Sequence, residues 1–167
     1  LDDGKVQVRF QTDGDLFTAI EKYGRTPLPP YIKREKDLID SDRERYQTIY
    51  ASDRGAIAAP TAGLHFTRET FDQLTERGIA TVEVTLHVGY GTFEPVRVEY
   101  IAEHSVSPER FSISENAALM LNSARSNGRR IVAIGTTTTR ALESSMQHHG
   151  EFRAGNDIAD LTILSGY

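Results

Sequence analysis

The spacing of hydrophobic and polar residues changes along the chain and predicts where its strands and helices lie. Residues 5–10 (KVQVRF) alternate polar with apolar side chains, which predicts a strand with one solvated face. Residues 15–23 predict a short helix that Gly24 closes. The PLPP that follows cannot continue a helix and has too few amide donors for a central strand. It therefore predicts a domain boundary between residues 1–26 and 27–167.

Two helices are predicted in the middle of the chain. Residues 40–51 carry dense charges and few apolar side chains, which predicts a surface helix. Its inward-facing residues are expected to be Tyr46, Ile49 and Tyr50. Thr67 can cap a second helix that runs to residue 77 and stops at Gly78.

Predicted strands and helices then alternate over residues 79–135. Residues 79–88, 110–113 and 130–135 (RIVAIG) read as strands, the last of them buried. Between the last two, Ser114 caps a predicted helix over residues 115–127. This alternation predicts an α/β fold with a mostly parallel sheet, whose ligands bind at the carboxyl ends of the strands.

Residues 55–66 (GAIAAPTAGLHF) follow neither a helical nor a strand period, and they concentrate small residues in one place. Small side chains such as Gly63 let backbone and ligand approach closely, while Thr61 and His65 supply a hydroxyl and an imidazole. The stretch is interpreted either as a ligand site or as a tight buried turn with a structural histidine.

Residues 85–95 (TLHVGYGTFEP) form a second stretch of this kind. His87 ends an apolar strand on its polar face, and Gly89 and Gly91 open the loop that follows. Two imidazoles thus lie beside glycine-rich bends, and we expect His65 and His87 to approach one another across a cleft.

Residues 135–140 (GTTTTR) follow an apolar strand and open a helix through Met146. Unpaired amides at the helix start, the hydroxyls of Thr136 and Thr137, and the guanidinium of Arg140 would form an anion cradle. The alternative is an ordinary loop whose threonines cap the helix. Glu143 could share that face or pair with Arg140.

Composition narrows the function classes. The net charge of −5 argues against a broad nucleic-acid surface, and the absence of cysteine excludes disulfides and thiolate metal sites. No apolar run reaches membrane-span length, so we expect no membrane association and a cytoplasmic location. No histidine pair has the helical i, i+4 spacing of a zinc site, and His148 and His149 read as solvent-exposed, so no metal is predicted.

Five stretches, taken in order, carry a resemblance to a known family. They are PLPPYI, YQTIYA, GAIAAPTAGLHFT, VTLHVGYGTFEPV and IGTTTTRALES. Together they resemble the S-adenosylmethionine:tRNA ribosyltransferase-isomerase of queuosine biosynthesis. Family chains are about twice as long, so the resemblance implies an internal fragment of doubtful activity alone, with residues 1–26 ending a small β-rich domain.

The resemblance also implies the reaction. The ribosyl group of S-adenosylmethionine is transferred to 7-aminomethyl-7-deazaguanine at the tRNA wobble position, giving epoxyqueuosine and releasing adenine and methionine. His65 and His87 would be the catalytic acid and base, in either order. The substrate-binding residues would be Thr61, Gly63, Gly89, Gly91, Thr136, Thr137, Arg140 and Glu143.

The implied partners are S-adenosylmethionine, as co-substrate with no further cofactor, and the tRNA, bound by a monomer. Two departures stand out: Ser107 replaces a histidine usual in the family, and Ser165 replaces a proline. Two other classes stay open: a noncatalytic nucleotide- or tRNA-binding α/β module, and a generic α/β hydrolase-like enzyme.

Overall fold

The structure, a computed structural model, describes residues 7–33, 41–93 and 95–167. Its helices and strands follow one another in an order that mixes the two types, so the α/β class is supported. The α-helices of these residues are α1 (Leu16–Tyr23), α2 (Asp42–Arg45), α3 (Arg68–Glu76), α4 (Glu115–Ser126) and α5 (Thr136–His149).

Local capping explains where most of these helices begin. The side chains of Asp15, Thr67 and Ser114 each accept a hydrogen bond from a backbone amide in the first turn of α1, α3 and α4. The predicted starts of α3 and α4 are confirmed, and α1 begins at Leu16, one residue later than predicted. Gly150, at φ 73°, ends α5 in the left-handed conformation that favours glycine.

The strands β1 (Thr85–His87), β2 (Glu109–Ile113) and β3 (Gly155–Ala159) form one sheet in the order β1-β2-β3. Both pairs are antiparallel, with Leu86 opposite Phe111 and Phe111 opposite Asp157. The prediction of a mostly parallel sheet is therefore wrong for the part of the chain that the structure describes.

The error comes from residues 130–135, which were expected to form a buried strand. They form no strand, and Val132 is 75% exposed. Two helices therefore separate β2 from β3, and the chain returns to the sheet at the end where β2 finished, since Gly155 pairs with Ile113. A return to that end gives an antiparallel pair.

Two further predictions hold only in part. The helix expected over residues 40–51 is limited to α2, with Tyr46 buried as predicted but Ile49 50% exposed; residue 40 lies outside the described residues. The strand expected over residues 79–88 is limited to β1.

The core lies between the sheet and the two long helices α4 and α5. Its buried side chains are Phe111, Ile113, Ala117, Ala118, Leu121, Ala141, Leu142, Phe152 and Ala159. Val82, Val84 and Leu86 pack against this core. The start of α5 is thereby fixed relative to the end of β1.

The predicted strand over residues 5–10 is absent from residues 7–10, and its first two residues lie outside the described part. Glu21 of α1 pairs with Arg43 and Arg54. The domain boundary at Pro27 stays a prediction. None of the helices described, α5 with 14 residues included, is long and apolar enough to cross a bilayer.

Candidate functional site

A pocket of about 290 Å³ lies where five separate segments of the chain meet. Its walls come from the PLPP region, from Tyr46, from the small-residue turn before α3, from the loop after β1 and from the start of α5. The lining residues are Pro29, Tyr31, Tyr46, Ala58, Ala59, Pro60, Thr61, Ala62, Val88, Thr92, Phe93, Gly135, Thr136 and Thr137. Each of the five stretches that carry the sequence resemblance contributes to this pocket.

Close packing holds the small-residue turn against the sheet and α5. The amide of Ile57 donates to the carbonyl of Val88 over 2.8 Å, which fixes the turn beside the end of β1. A Cβ added at Gly135, where φ is 90°, would lie 3.5 Å from the Cβ of Ala62. A Cβ added at Gly63 would collide with the hydroxyl of Tyr50. The sequence concentrates small residues here because the segments approach at backbone distance.

The start of α5 gives the pocket its anion-binding potential. Gly135 precedes the helix and no side chain caps it, while Thr136 and Thr137 line the pocket. Amides in the first turn of a helix lack intrahelical partners and carry partial positive charge. The pocket therefore combines a polar, anion-accepting end with aromatic walls from Tyr31, Tyr46 and Phe93.

The two candidate histidines are close in sequence to pocket-lining residues but do not line the pocket themselves. His65 is exposed and is the last residue of the 3-10 turn Thr61–His65, whose first residue does line the pocket. His87 is half-buried, ends β1 as predicted, and directly precedes Val88. A Cβ at Gly55 would lie 2.6 Å from His87 Nδ1, so the missing side chain makes room for this imidazole. Their catalytic roles stay a prediction.

Glycines 63, 89 and 91 also lie outside the pocket lining. The amide of Gly89 donates to Glu109 Oε1 over 3.0 Å. A Cβ at Gly91 would lie 2.7 Å from the Cβ and Oγ of Ser107. The loop after β1 is thus packed against Glu109 and Ser107.

Arg140 has intramolecular partners rather than a free guanidinium. Nη1 donates to Glu109 Oε2 over 3.0 Å, and Nε donates to the carbonyl of Leu161 over 2.7 Å. Nη2 donates to the carbonyls of Val106 and Ser107. Burial lowers the pKa of Arg140, while Glu109 and Asp160 oppose that change.

These contacts join α5 to β2, because the donors of Arg140 point at Glu109 and at backbone carbonyls. A role of Arg140 in substrate binding stays a prediction. The pairing considered between Arg140 and Glu143 is wrong: Glu143 Oε2 instead accepts a hydrogen bond from the Tyr167 hydroxyl over 3.2 Å. Of the residues predicted to bind substrate, the structure brings Thr61, Thr136 and Thr137 into the pocket.

Sequence reasoning missed one cluster, at the other end of α5. His149 Nε2 lies 2.9 Å from Asp157 Oδ2, and His148 Nδ1 lies 3.4 Å from the same oxygen. The hydrogen bond to Asp157 raises the pKa of His148 against the opposing effect of burial. The two histidines are exposed, as predicted. Their neighbouring positions were the available signal, but Asp157 belongs to a strand that the sequence did not predict.

The chain matches, over residues 1–167, the family described as queuosine biosynthesis protein. It is 47% identical over 160 residues to the S-adenosylmethionine:tRNA ribosyltransferase-isomerase of Syntrophotalea carbinolica, covering 96% of this chain and 46% of that relative. It is 44% identical over 167 residues to the protein of the same name from Desulfitobacterium hafniense, covering 100% of this chain and 48% of that relative. The chain spans about half the length of the curated relatives it matches.

Proposed function

This chain belongs to the queuosine biosynthesis protein family, and on that basis we propose that it supplies the S-adenosylmethionine pocket of a tRNA ribosyltransferase-isomerase. The observation that carries the proposal is the pocket itself, because all five resembling stretches of sequence meet in its walls. Relatives named for this enzyme activity favour it over a noncatalytic binding module or a hydrolase-like enzyme.

The proposed reaction moves the ribosyl group of S-adenosylmethionine to the aminomethyl group of 7-aminomethyl-7-deazaguanine in tRNA. The C–N bond to adenine and the C–S bond to methionine break, and the ribosyl group is isomerised to give epoxyqueuosine. The positive sulfonium acidifies the C–H bonds of the adjacent 5′-carbon of the ribose. The reaction therefore needs a base that removes a proton from this carbon and an acid that protonates the departing adenine.

His65 and His87 are our candidates for the acid and the base, because imidazole exchanges protons near neutral pH. Each histidine lies close in sequence to a residue of the pocket wall. His65 ends the turn that begins at Thr61, and His87 directly precedes Val88. We propose that both imidazoles act on the ribose of the bound donor.

The pocket walls suggest how the donor is held. Tyr31, Tyr46 and Phe93 offer aromatic faces for adenine, and the first amides of α5 at Thr136 and Thr137 suit the methionine carboxylate. We assign the anion contact to these amides rather than to Arg140, whose guanidinium is engaged elsewhere. S-adenosylmethionine is consumed as a co-substrate rather than retained as a cofactor.

The second substrate in this proposal is the tRNA that carries the modified base. A net charge of −5 favours a local contact around the pocket over a broad basic surface. We further propose that the protein acts in the cytoplasm, where tRNA is modified, and as a monomer.

A pocket-filling substitution tests this assignment. Ala59 lines the pocket, so Ala59→Leu should weaken S-adenosylmethionine binding, measured by equilibrium dialysis, at least tenfold, a loss of about 1.4 kcal/mol. Ala51→Leu is the matched control at an exposed position outside the lining. Unchanged binding by a folded Ala59→Leu variant would show that the donor binds elsewhere.

Adenine release in the presence of precursor tRNA tests the chemistry separately. His65→Gln or His87→Gln should lower turnover by about 10²–10⁴-fold, the usual contribution of a general acid or base, with donor binding little changed. Turnover within a few fold of the native value in both variants would remove the histidines from the mechanism while leaving the pocket assignment intact.

A further inference from the structure

Four side chains that the reaction above does not use converge between the last turn of α5 and β3. They are His148, His149, Asp157 and Asp160. One ligand atom from each of His148, His149 and Asp157 lies within 4.8 Å of the other two. We propose that these three residues bind a divalent transition metal ion of the zinc class.

The position at which α5 ends explains why two neighbouring histidines can both contact the carboxylate of Asp157. Consecutive residues in a helix point about 100° apart, yet both imidazoles reach Asp157 because α5 ends directly after His149 at Gly150. The chain then returns as β3 beside that last turn, and the two rings meet edge to face with centroids 5.8 Å apart.

The observed spacing suits a small coordination sphere. Zinc binds imidazole nitrogen and carboxylate oxygen at about 2.0–2.2 Å, so donors around a tetrahedral ion lie ~3.4 Å apart. Asp157 Oδ2 lies 3.4 Å from His148 Nδ1 and 2.9 Å from His149 Nε2. Small side-chain adjustments would therefore admit the ion in place of the protons that these contacts now share.

A second carboxylate prepares His148 for this role. Asp160 Oδ1 lies 3.1 Å from His148 Nε2. In the metal-bound form we assign the ring proton to Nε2, which donates it in a hydrogen bond to Asp160, so that Nδ1 faces the metal. Carboxylate–histidine–metal arrangements of this kind fix the ring orientation and raise the basicity of the ligand. Asp160 is thus assigned as a positioning residue.

The positive charge of Arg153 opposes the binding of a metal ion at this site. Its Nη1 lies 3.4 Å from His149 Nδ1, and metal on Nε2 would place a proton on that Nδ1. Arg153 is exposed and can turn into solvent. The carboxylates of Asp157 and Asp160 still outnumber this one guanidinium, so the local charge attracts a divalent cation. Imidazole ligands favour zinc, nickel and cobalt over magnesium and calcium.

Titration of the tag-free, metal-stripped full chain with Co²⁺ tests the site. We expect a ligand-field absorption that saturates at one equivalent of Co²⁺ and disappears when Zn²⁺ displaces the Co²⁺. Asp157→Asn and His149→Gln should each weaken binding more than tenfold, and Asp160→Asn about tenfold. His65→Gln, which removes an exposed histidine outside the cluster, should bind like the native chain.

Thermal unfolding in EDTA shows whether each variant folds without metal, and His149→Gln provides the same test should Asp157→Asn fail to fold. Saturation at one equivalent that disappears with either ligand supports the site. Absence of the cobalt spectrum in the native chain, or equal affinity in a folded Asp157→Asn variant, would show that the histidines and aspartates only pair with each other and that any bound metal is adventitious.

Discussion

Arg140 and Glu109 form a buried ion pair that joins α5 to β2, with 3.0 Å between Nη1 and Oε2 and 9% of each side chain exposed. The other oxygen of Glu109 accepts the amide of Gly89, so the pair also reaches the loop after β1. Through these contacts, one pair of charges holds together α5 and the loop after β1, which both contribute to the pocket.

We predict that Arg140→Ala destabilises the protein by about 3–5 kcal/mol, because it leaves the Glu109 carboxylate buried without its partner. Arg140→Lys should recover only part, since an ammonium cannot replace donors in a planar fork. Urea unfolding measures both. Arg129→Ala, at an exposed position, is the control and should change stability by less than ~0.5 kcal/mol.

The same variant distinguishes a structural role of Arg140 from a role in substrate binding. Arg140→Ala should lose stability while any surviving folded protein binds S-adenosylmethionine with unchanged affinity. Weakened binding without a loss of stability would instead restore the anion-binding role that the sequence suggested.

Two neighbouring serines of α5 should respond in opposite ways to alanine substitution. The Ser145 hydroxyl donates to the Glu151 carbonyl over 3.1 Å and accepts the Arg153 amide over 3.0 Å. Ser145→Ala should therefore cost about 1 kcal/mol, because two part-buried backbone groups lose their hydrogen-bond partner.

Ser144 is equally buried, but among the described residues its Oγ has no hydrogen-bond partner. Ser144→Ala should be neutral or stabilising, because it removes a buried polar group without leaving another unpaired. Thermal unfolding of the two variants side by side checks the contrast, and equal losses would mean that the hydrogen bonds of Ser145 contribute little.

Gly63→Ala should destabilise the turn before α3 by about 1–3 kcal/mol, the usual cost of overpacking. The added methyl would meet the Tyr50 hydroxyl and would lie 2.9 Å from Thr48 Cγ2. Gly89→Ala is the matched control, because a Cβ there meets nothing within 4 Å and its φ is not positive. Denaturant midpoints of the two variants should differ, and a similar midpoint would indicate that Tyr50 moves aside freely.

The cap of α1 should be lost in acid. Hydrogen bonds from the Thr18 amide and hydroxyl lower the pKa of Asp15 below its usual 3.8. A lowered pKa means that the carboxylate stabilises α1 above the unfolded pKa and that this contribution disappears as pH falls through the folded pKa.

The Thr18 amide resonance, followed by NMR from about pH 5 to about pH 2.5, reports this change. Asp15→Asn should hold the cap throughout, because asparagine is an equally good but non-titrating N-cap. Asp13→Asn is the control and should keep the native profile. A persistent Thr18 hydrogen bond at the lowest pH in the native chain would contradict the prediction.

The sequence by itself determined the features that depend on neighbouring residues. Asp15, Thr67 and Ser114 mark helix starts because their side chains reach amides only three residues away. The concentration of small residues before α3 likewise indicated a ligand site or a tight buried turn. Thr61, Thr136 and Thr137 were predicted as binding residues and do line the pocket.

Tertiary structure alone decided which distant groups meet. Whether residues 130–135 or β3 pairs with β2 depends on competition between strands that are far apart in sequence, and local alternation carries no record of that choice. The partners of Arg140 and of His149 were hidden for the same reason: Glu109 lies 31 residues from Arg140, and Asp157 lies on a strand of weak local signal. Side-chain chemistry was readable from the sequence, but the partners of each charge were set by how the chain packs.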